Sequence, residues 1–223
     1  MSNSSEATRG RIYQAALQEF ARYGVAGARV DRIAQAARAN KQAIYQYFGD
    51  KERLFATVLE RSLGELAESV PVETDDVAGY VDRLFGYHLA HPEVLRLLMW
   101  EALEFTDRAV PDEENRARHY GDKAAGLAAG LPDQAAGPLD GPSLLLILTG
   151  LVGWPLVVPQ VRRMIMGEEA DGLPRLRAAT ADAAEAVVRH ARGDSAGAAA
   201  SGDGHLARAP AGADGDLLSP AEA

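Results

Sequence analysis

Residues 29–55 read RVDRIAQAARANKQAIYQYFGDKERLF, and the spacing of their side chains decides the fold. Val30, Ile33, Ala34 and Ala37 recur at three- and four-residue intervals, the apolar stripe of one short helix over about 30–38. A turn is expected at Ala39-Asn40. Asn40 is a good N-cap, because its side-chain oxygen satisfies an orphan amide of the helix that follows. That second helix spans Lys41 to Phe48. Ala43, Ile44 and Phe48 can face the protein, which leaves Lys41, Gln42, Tyr45, Gln46 and Tyr47 facing outward or sideways. Gly49-Asp50 breaks it, and Asp50 can cap a third helix from Lys51. Two short helices around a tight turn form a helix-turn-helix, which presents one helix to the major groove of DNA.

The outward side chains suit that task. Lys41 can reach a guanine edge or a phosphate, Gln42 can make paired hydrogen bonds to adenine, and Ala43 can lie against a thymine methyl. Tyr45 and Tyr47 carry hydroxyls on rigid rings, suited to fixing register on phosphates. Lys51 sits at a helix N-terminus, which already favours an anion. Arg29, Asn40 and Gln46 complete the expected DNA-binding set. The plain alternative is a helical hairpin with a polar face. Two tyrosines and two lysines around a short capped helix are not typical surface decoration.

Residues 8–55 resemble the N-terminal domain of the TetR family of transcriptional regulators. The matching residues are Ile12, Ala15, Ala16, Phe20 and Gly24, then Val30, Ile33, Ala34 and Ala37, then Tyr45, Tyr47, Phe48, Lys51, Glu52, Leu54 and Phe55. Three positions depart from the family pattern. Arg38 stands where a turn glycine is usual, Gln42 replaces a common glycine, and Arg29 replaces a common Ser or Thr. Arg38 is therefore expected to tolerate left-handed geometry, and the other two to alter operator preference. The resemblance implies a homodimer that closes a four-helix bundle across its two-fold axis. It also implies a ligand pocket among the central helices.

Charge is unevenly divided. The chain of 223 residues has a net charge of −9, yet residues 1–70 carry ten Lys and Arg against eight Asp and Glu. The remainder carries thirteen against twenty-four, an acidic body that DNA would repel, limiting non-specific binding. There is no cysteine, so neither a disulfide framework nor a Cys-based metal site or nucleophile is available, as fits a reducing cytoplasm. No signal peptide is read at the start of the chain. The longest apolar run, Leu144 to Val158, is too short and too broken by glycine and proline for a membrane span.

The whole chain is expected to be all-α. Residues 1–7 read as disordered. A first helix runs from about Thr8 to Tyr23, ends at Gly24, and carries Arg9 and Arg11 near the DNA backbone. Residues 8–55 form the DNA-binding domain, and 56–192 a helical ligand-binding and dimerisation domain. Lys51 to about Ser69 is an amphipathic connecting helix. A helix capped by Ser143 is expected to bend or break at Trp154-Pro155 and to resume to about Met166, and residues 193–223 read as a disordered tail. Dimerisation is assigned to about 143–192, where Ala178, Ala179, Ala183, Ala186 and Val187 permit close helix approach. Phe85, His88, Met99, Trp100, Phe105, Tyr120 and Trp154 are the candidate ligand contacts, suiting a small, largely apolar effector.

Other constellations are weak. His88 and His91 have metal-compatible spacing but no evident third ligand, so no metal or cofactor is expected. Glu101 and Glu104 lack an accompanying nucleophile or oriented histidine, and belong on a solvated face or a pocket rim rather than in an enzyme. The function expected is a homodimeric, ligand-responsive repressor released from a palindromic operator. The alternative is a helical ligand-binding or protein-interaction module that no longer reads DNA.

Overall fold

The computed structural model describes residues 2–73, 75–106, 108–110, 112–131, 139–167 and 172–193, with side chains from Ser5 onward. Among them are ten α-helices and no strand: α1 (Ser2–Gly27), α2 (Val30–Ala37), α3 (Lys41–Phe48), α4 (Lys51–Ser69), α5 (Val77–Ala90), α6 (Pro92–Glu104), α7 (Glu113–Ala129), α8 (Gly141–Val157), α9 (Pro159–Met166) and α10 (Gly172–Arg192). The expected tail falls outside the described residues, apart from Gly193.

Side-chain caps set four of the helix starts, and the cap of α8 is Asp140 rather than the expected Ser143, whose own amide it accepts from. Asn40 accepts from the Gln42 amide, Asp50 from that of Arg53, Asp76 from that of Gly79 and Asp140 from that of Ser143. Each satisfies one orphan amide in the first turn of its helix. His91 ends α5, and Pro92 opens α6 at a position where its missing N–H costs nothing.

Two further expectations need correction. The first helix starts at Ser2 rather than Thr8, because its early turns dock on α3: Ser5 Oγ lies 3.2 Å from the Tyr47 hydroxyl, and the Arg9 guanidinium sits 4.9 Å from the Tyr47 ring centre. The break expected at Trp154-Pro155 instead falls at Val158, with Pro155 held inside α8. A residue before proline is pushed out of helical geometry, and Val158, preceding Pro159, has φ −117° and ψ 61°. The α8 and α9 axes then differ by 84°. The Pro155 carbonyl, left near the helix end, accepts from Arg162 at 2.9 Å. No single helix among the described residues is long and apolar enough to cross a membrane.

Two apolar cores result. In the first, Ile12, Ala16 and Phe20 of α1 pack on the α2–α3 pair and on Leu54, Phe55, Val58 and Leu59 of α4. Leu97 and Phe105, from α6 and its end, also belong to it. The second core joins Leu66 of α4 to α5, α7, α8 and α10. Helix α4 thus contributes its first half to one core and its second half to the other, and Leu63 packs against both.

Candidate functional site

Helix α3 buries Ile44 against the first core and leaves Lys41, Gln42, Tyr45 and Gln46 exposed. Lys41 lies one turn from Tyr45 and Gln42 one turn from Gln46, as side chains four residues apart do on a helix, so the pairs form two adjoining exposed strips. The turn before α3 is complete. Arg38 is left-handed (φ 50°, ψ 45°), the Ala39 amide donates to the Ala34 carbonyl at 2.9 Å, and the Arg38 amide to that of Gln35 at 3.2 Å. The departure from glycine at this position therefore leaves the geometry of the helix pair intact.

Several cations near this face already have partners. Lys41 pairs with Asp31 at 2.8 Å, and their mutual hydrogen bond lowers the aspartate pKa and raises that of the lysine. Both are exposed, so the pair is weak and exchangeable for a phosphate. Lys51 is turned inward and donates to the carbonyls of Ala26 and Ala28, both at 3.3 Å. It ties the α1–α2 loop to α4, because the carbonyls at the end of α1 need donors. Arg11 likewise donates to the Ala37 carbonyl at the end of α2, at 3.1 Å. Tyr47 is half-buried between Ser5 and Arg9, whereas Tyr45 stands 44% exposed. Arg29, Asn40 and Ala43 border the face, Ala43 partly covered.

The second feature is a cavity of about 1120 Å³ between α4, α5, α6, α7 and α8. Its wall is mainly apolar, with Leu63, Leu84, Leu95, Leu98 and Leu145 prominent. Of the sequence candidates, His88 and Tyr120 line it. His88 is only 6% exposed and its Nδ1 lacks a hydrogen-bond partner; burial, with His91 nearby, pushes its pKa down to about 4, so the ring is neutral at pH 7. Burial also lowers the pKa of Lys123 and raises that of Tyr80, both on the wall.

The other five candidates do not line the cavity. Phe85 is fully buried in the second core, and Phe105 stacks on Phe55 in the first at 6.1 Å. Met99 and Trp154 point to solvent. Trp100 donates its indole N–H to the Ala21 carbonyl at 3.2 Å. The helices bearing these residues are apolar on more than one side, so periodicity did not indicate which stripe faced a void. Glu101, expected on a solvated face or rim, is buried and makes a two-point pair with Arg116 at 2.7 and 2.9 Å.

Glu104 does something the sequence did not suggest. Its carboxylate accepts from the amides of Val25 and Ala26, at 2.8 and 2.7 Å, just past a kink at Gly24 in α1. Arg96 Nε adds a bond to the Ala21 carbonyl at 2.7 Å. Helix α6, a cavity wall, is thereby fastened to the first helix of the DNA-binding unit. Glu19 was missed as well: it accepts from the Arg29 amide and pairs with Arg32, holding the start of α2. Only its place beside the apolar stripe of α1 marked it in the sequence. Among the described residues no group of three or more His, Cys, Asp or Glu is placed to hold a metal ion.

Comparison with known proteins agrees with both halves of the chain. Residues 12–58 match the model for bacterial regulatory proteins of the tetR family, and residues 76–186 match the tetracyclin repressor-like C-terminal domain. The chain is 48% identical over 187 residues to the HTH-type transcriptional repressor SCO4008 of Streptomyces coelicolor, covering 82% of this chain and 96% of that protein. It is 32% identical over 106 residues to the repressor NicS of Pseudomonas putida, covering 44% of this chain and 50% of that protein. The crystal structure of SCO4942 from Streptomyces coelicolor superposes with a TM-score of 0.69 at 34% identity, covering 81% of this chain and 97% of that one. A helix-turn-helix with an exposed, capped α3, a helical C-terminal body and these relatives agree: the chain belongs to the TetR family of DNA-binding transcriptional regulators.

Proposed function

We propose that the chain is a homodimeric repressor in the cytoplasm that leaves a palindromic operator when a small, largely apolar effector enters the cavity. The observation that carries this reading is the position of α4. Only two residues separate it from α3, and it is also a wall of the cavity. A ligand that displaces α4 would change the separation of the two recognition helices, which must match successive major grooves about 34–36 Å apart. Lys41, Gln42 and Ala43 face bases. Tyr45, with Arg29, Asn40 and Gln46 at the edges, holds the backbone. Lys51 and Tyr47 serve one step back, by fixing the loop and the start of α1. The second copy is proposed to pack on α8–α10, where Trp154 of α8 is 64% exposed and Met164 and Ile165 of α9 are 77% and 78% exposed. No catalytic role is proposed. The reading as a module that no longer reads DNA rested partly on Arg38, and it loses that support because both turn bonds form around the arginine.

The test is selection from a pool of random duplexes, followed by salt titration of the recovered sequence. A palindrome should emerge, bound in a saturable and salt-sensitive manner. Tyr45→Ala should weaken binding to every duplex. Gln42→Ala should relax preference at one base position by about 1–3 kcal/mol if its contact is bidentate. Recovery of no enriched sequence would sink the proposal. Equal losses for Gln42→Ala on selected and scrambled duplexes would refute its assigned contact.

A further inference from the structure

We infer that the Tyr13 hydroxyl is the joint through which occupation of the cavity reaches the DNA-binding helices. The inference rests on the repressor reading and specifies its coupling. Tyr13 of α1 is almost fully buried, and its hydroxyl lies 3.0 Å from Ser62 Oγ and 3.1 Å from Glu65 Oε2, both on α4. Arg61 lies 4.0 Å from the Tyr13 ring centre and donates from Nε to the other Glu65 oxygen at 2.8 Å. Arg61 and Glu65 also line the cavity, with Gly64 between them in sequence. The same two side chains thus face the cavity and grip the first helix of the DNA-binding unit.

Direction separates this contact from the apolar one beside it, and cavity lining separates it from the directional bonds of Glu104 and Arg96 to α1, whose side chains do not line the cavity. Leu63 also touches both cores, but apolar contact is non-directional and tolerates sliding. A phenol bound to a carboxylate does not, because the bond weakens steeply with misalignment and an unpaired buried hydroxyl is costly. Burial pushes the Tyr13 pKa up, so the phenol remains a donor. A ligand lodged against Arg61 and Glu65 must either break this bond or drag α1 with it. Motion of α1 passes onward, because Arg11, two residues before Tyr13, holds the Ala37 carbonyl at the end of α2.

The absence of cysteine makes the test clean. Gly64→Cys introduces a unique thiol on the cavity wall, where an added Cβ has nothing within 4 Å. Labelling it with N-phenylmaleimide fills part of the cavity without any knowledge of the effector. Affinity for the selected duplex is then measured with and without the label, in the Tyr13 and Tyr13→Phe backgrounds. The label should weaken binding by about tenfold or more with Tyr13, and by less than about threefold with Tyr13→Phe. Unlabelled proteins should match within about threefold, a readout that a merely structural role for the hydroxyl would not spare. An equal drop in both backgrounds, or no drop in either, overturns the inference. Where Tyr13→Phe lacks a cooperative melt, Glu65→Leu takes its place in the same scheme. A failed joint leaves unlabelled duplex binding intact, whereas a failed repressor reading leaves no selected duplex at all.

Discussion

Arg38 sits in backbone geometry that its side chain disfavours, and His88 in a burial that resists its protonation. Arg38 occupies left-handed backbone at φ 50°, which costs an L-residue with a Cβ about 1–2 kcal/mol. Arg38→Gly is therefore expected to stabilise the protein by about 1 kcal/mol, read as a higher urea midpoint at unchanged slope. A lower midpoint would show that the arginine side chain contributes more than the strain removes. His88 is neutral in the folded state, with its pKa near 4 against 6.5 in the unfolded chain. The unfolded state takes up the proton first on acidification. Stability contributed by this residue is thus full above pH 6.5 and falls as pH drops toward 4, by about 3 kcal/mol. Urea melts at pH 7 and pH 5 should differ in the native chain, and His88→Leu should remove most of that difference. A variant with the same acid sensitivity would assign the effect to other groups. The residue candidates were unevenly legible. Gln42 and Tyr45 were exposed as expected, because a short capped helix with one apolar side has only one other side to offer. Lys51 was not, since its partners are carbonyls more than twenty residues away.

Among the elements, α1 shows the limit of local reading. Gly24 was expected to end it, and at φ 69°, ψ −176° it does interrupt the helical geometry in a region open essentially to glycine alone. The chain nevertheless coils on to Gly27, because Glu104 of α6 receives the freed amides of Val25 and Ala26. An added Cβ at Gly24 would overlap that carboxylate and press on the Trp100 ring. Gly24→Ala is expected to destabilise by about 2 kcal/mol or more, with amide exchange rising first at residues 25–28. Unchanged protection there would mean the kink is not held by Glu104. Helix α8 teaches the same lesson from proline. Pro155 looked like the breaker, yet a helix packed through Leu144, Leu148 and Val152 tolerates one lost bond near its end. The stop comes where Val158 meets Pro159.

At the scale of the molecule, the apolar residues left outside say as much as those inside. Leu146, Trp154, Met164 and Ile165 are each more than 60% exposed on α8 and α9, and Ala179, Ala183 and Ala186 stand exposed on α10. Large apolar side chains left this exposed on neighbouring helices are where an interface is expected. With the proposed dimer packed on this face, Ile147→Arg on the exposed side of α8 is expected to halve the mass in sedimentation and to weaken duplex binding, since one helix-turn-helix contacts few bases. A variant that remains dimeric would move the interface off this face of α8. The sequence by itself determined the all-helical class, the caps at Asn40 and Asp50 and the exposed side of α3, because each depends on spacing within a few residues, while composition alone set the basic-to-acidic division. Only the tertiary structure decided where the cavity opens, which aromatics line it, and how α4 and α6 are fastened to α1. Those depend on pairs such as Tyr13 with Glu65 and Val25 with Glu104, and neither side chains fifty or more residues apart nor the void between helices leave any period in the chain.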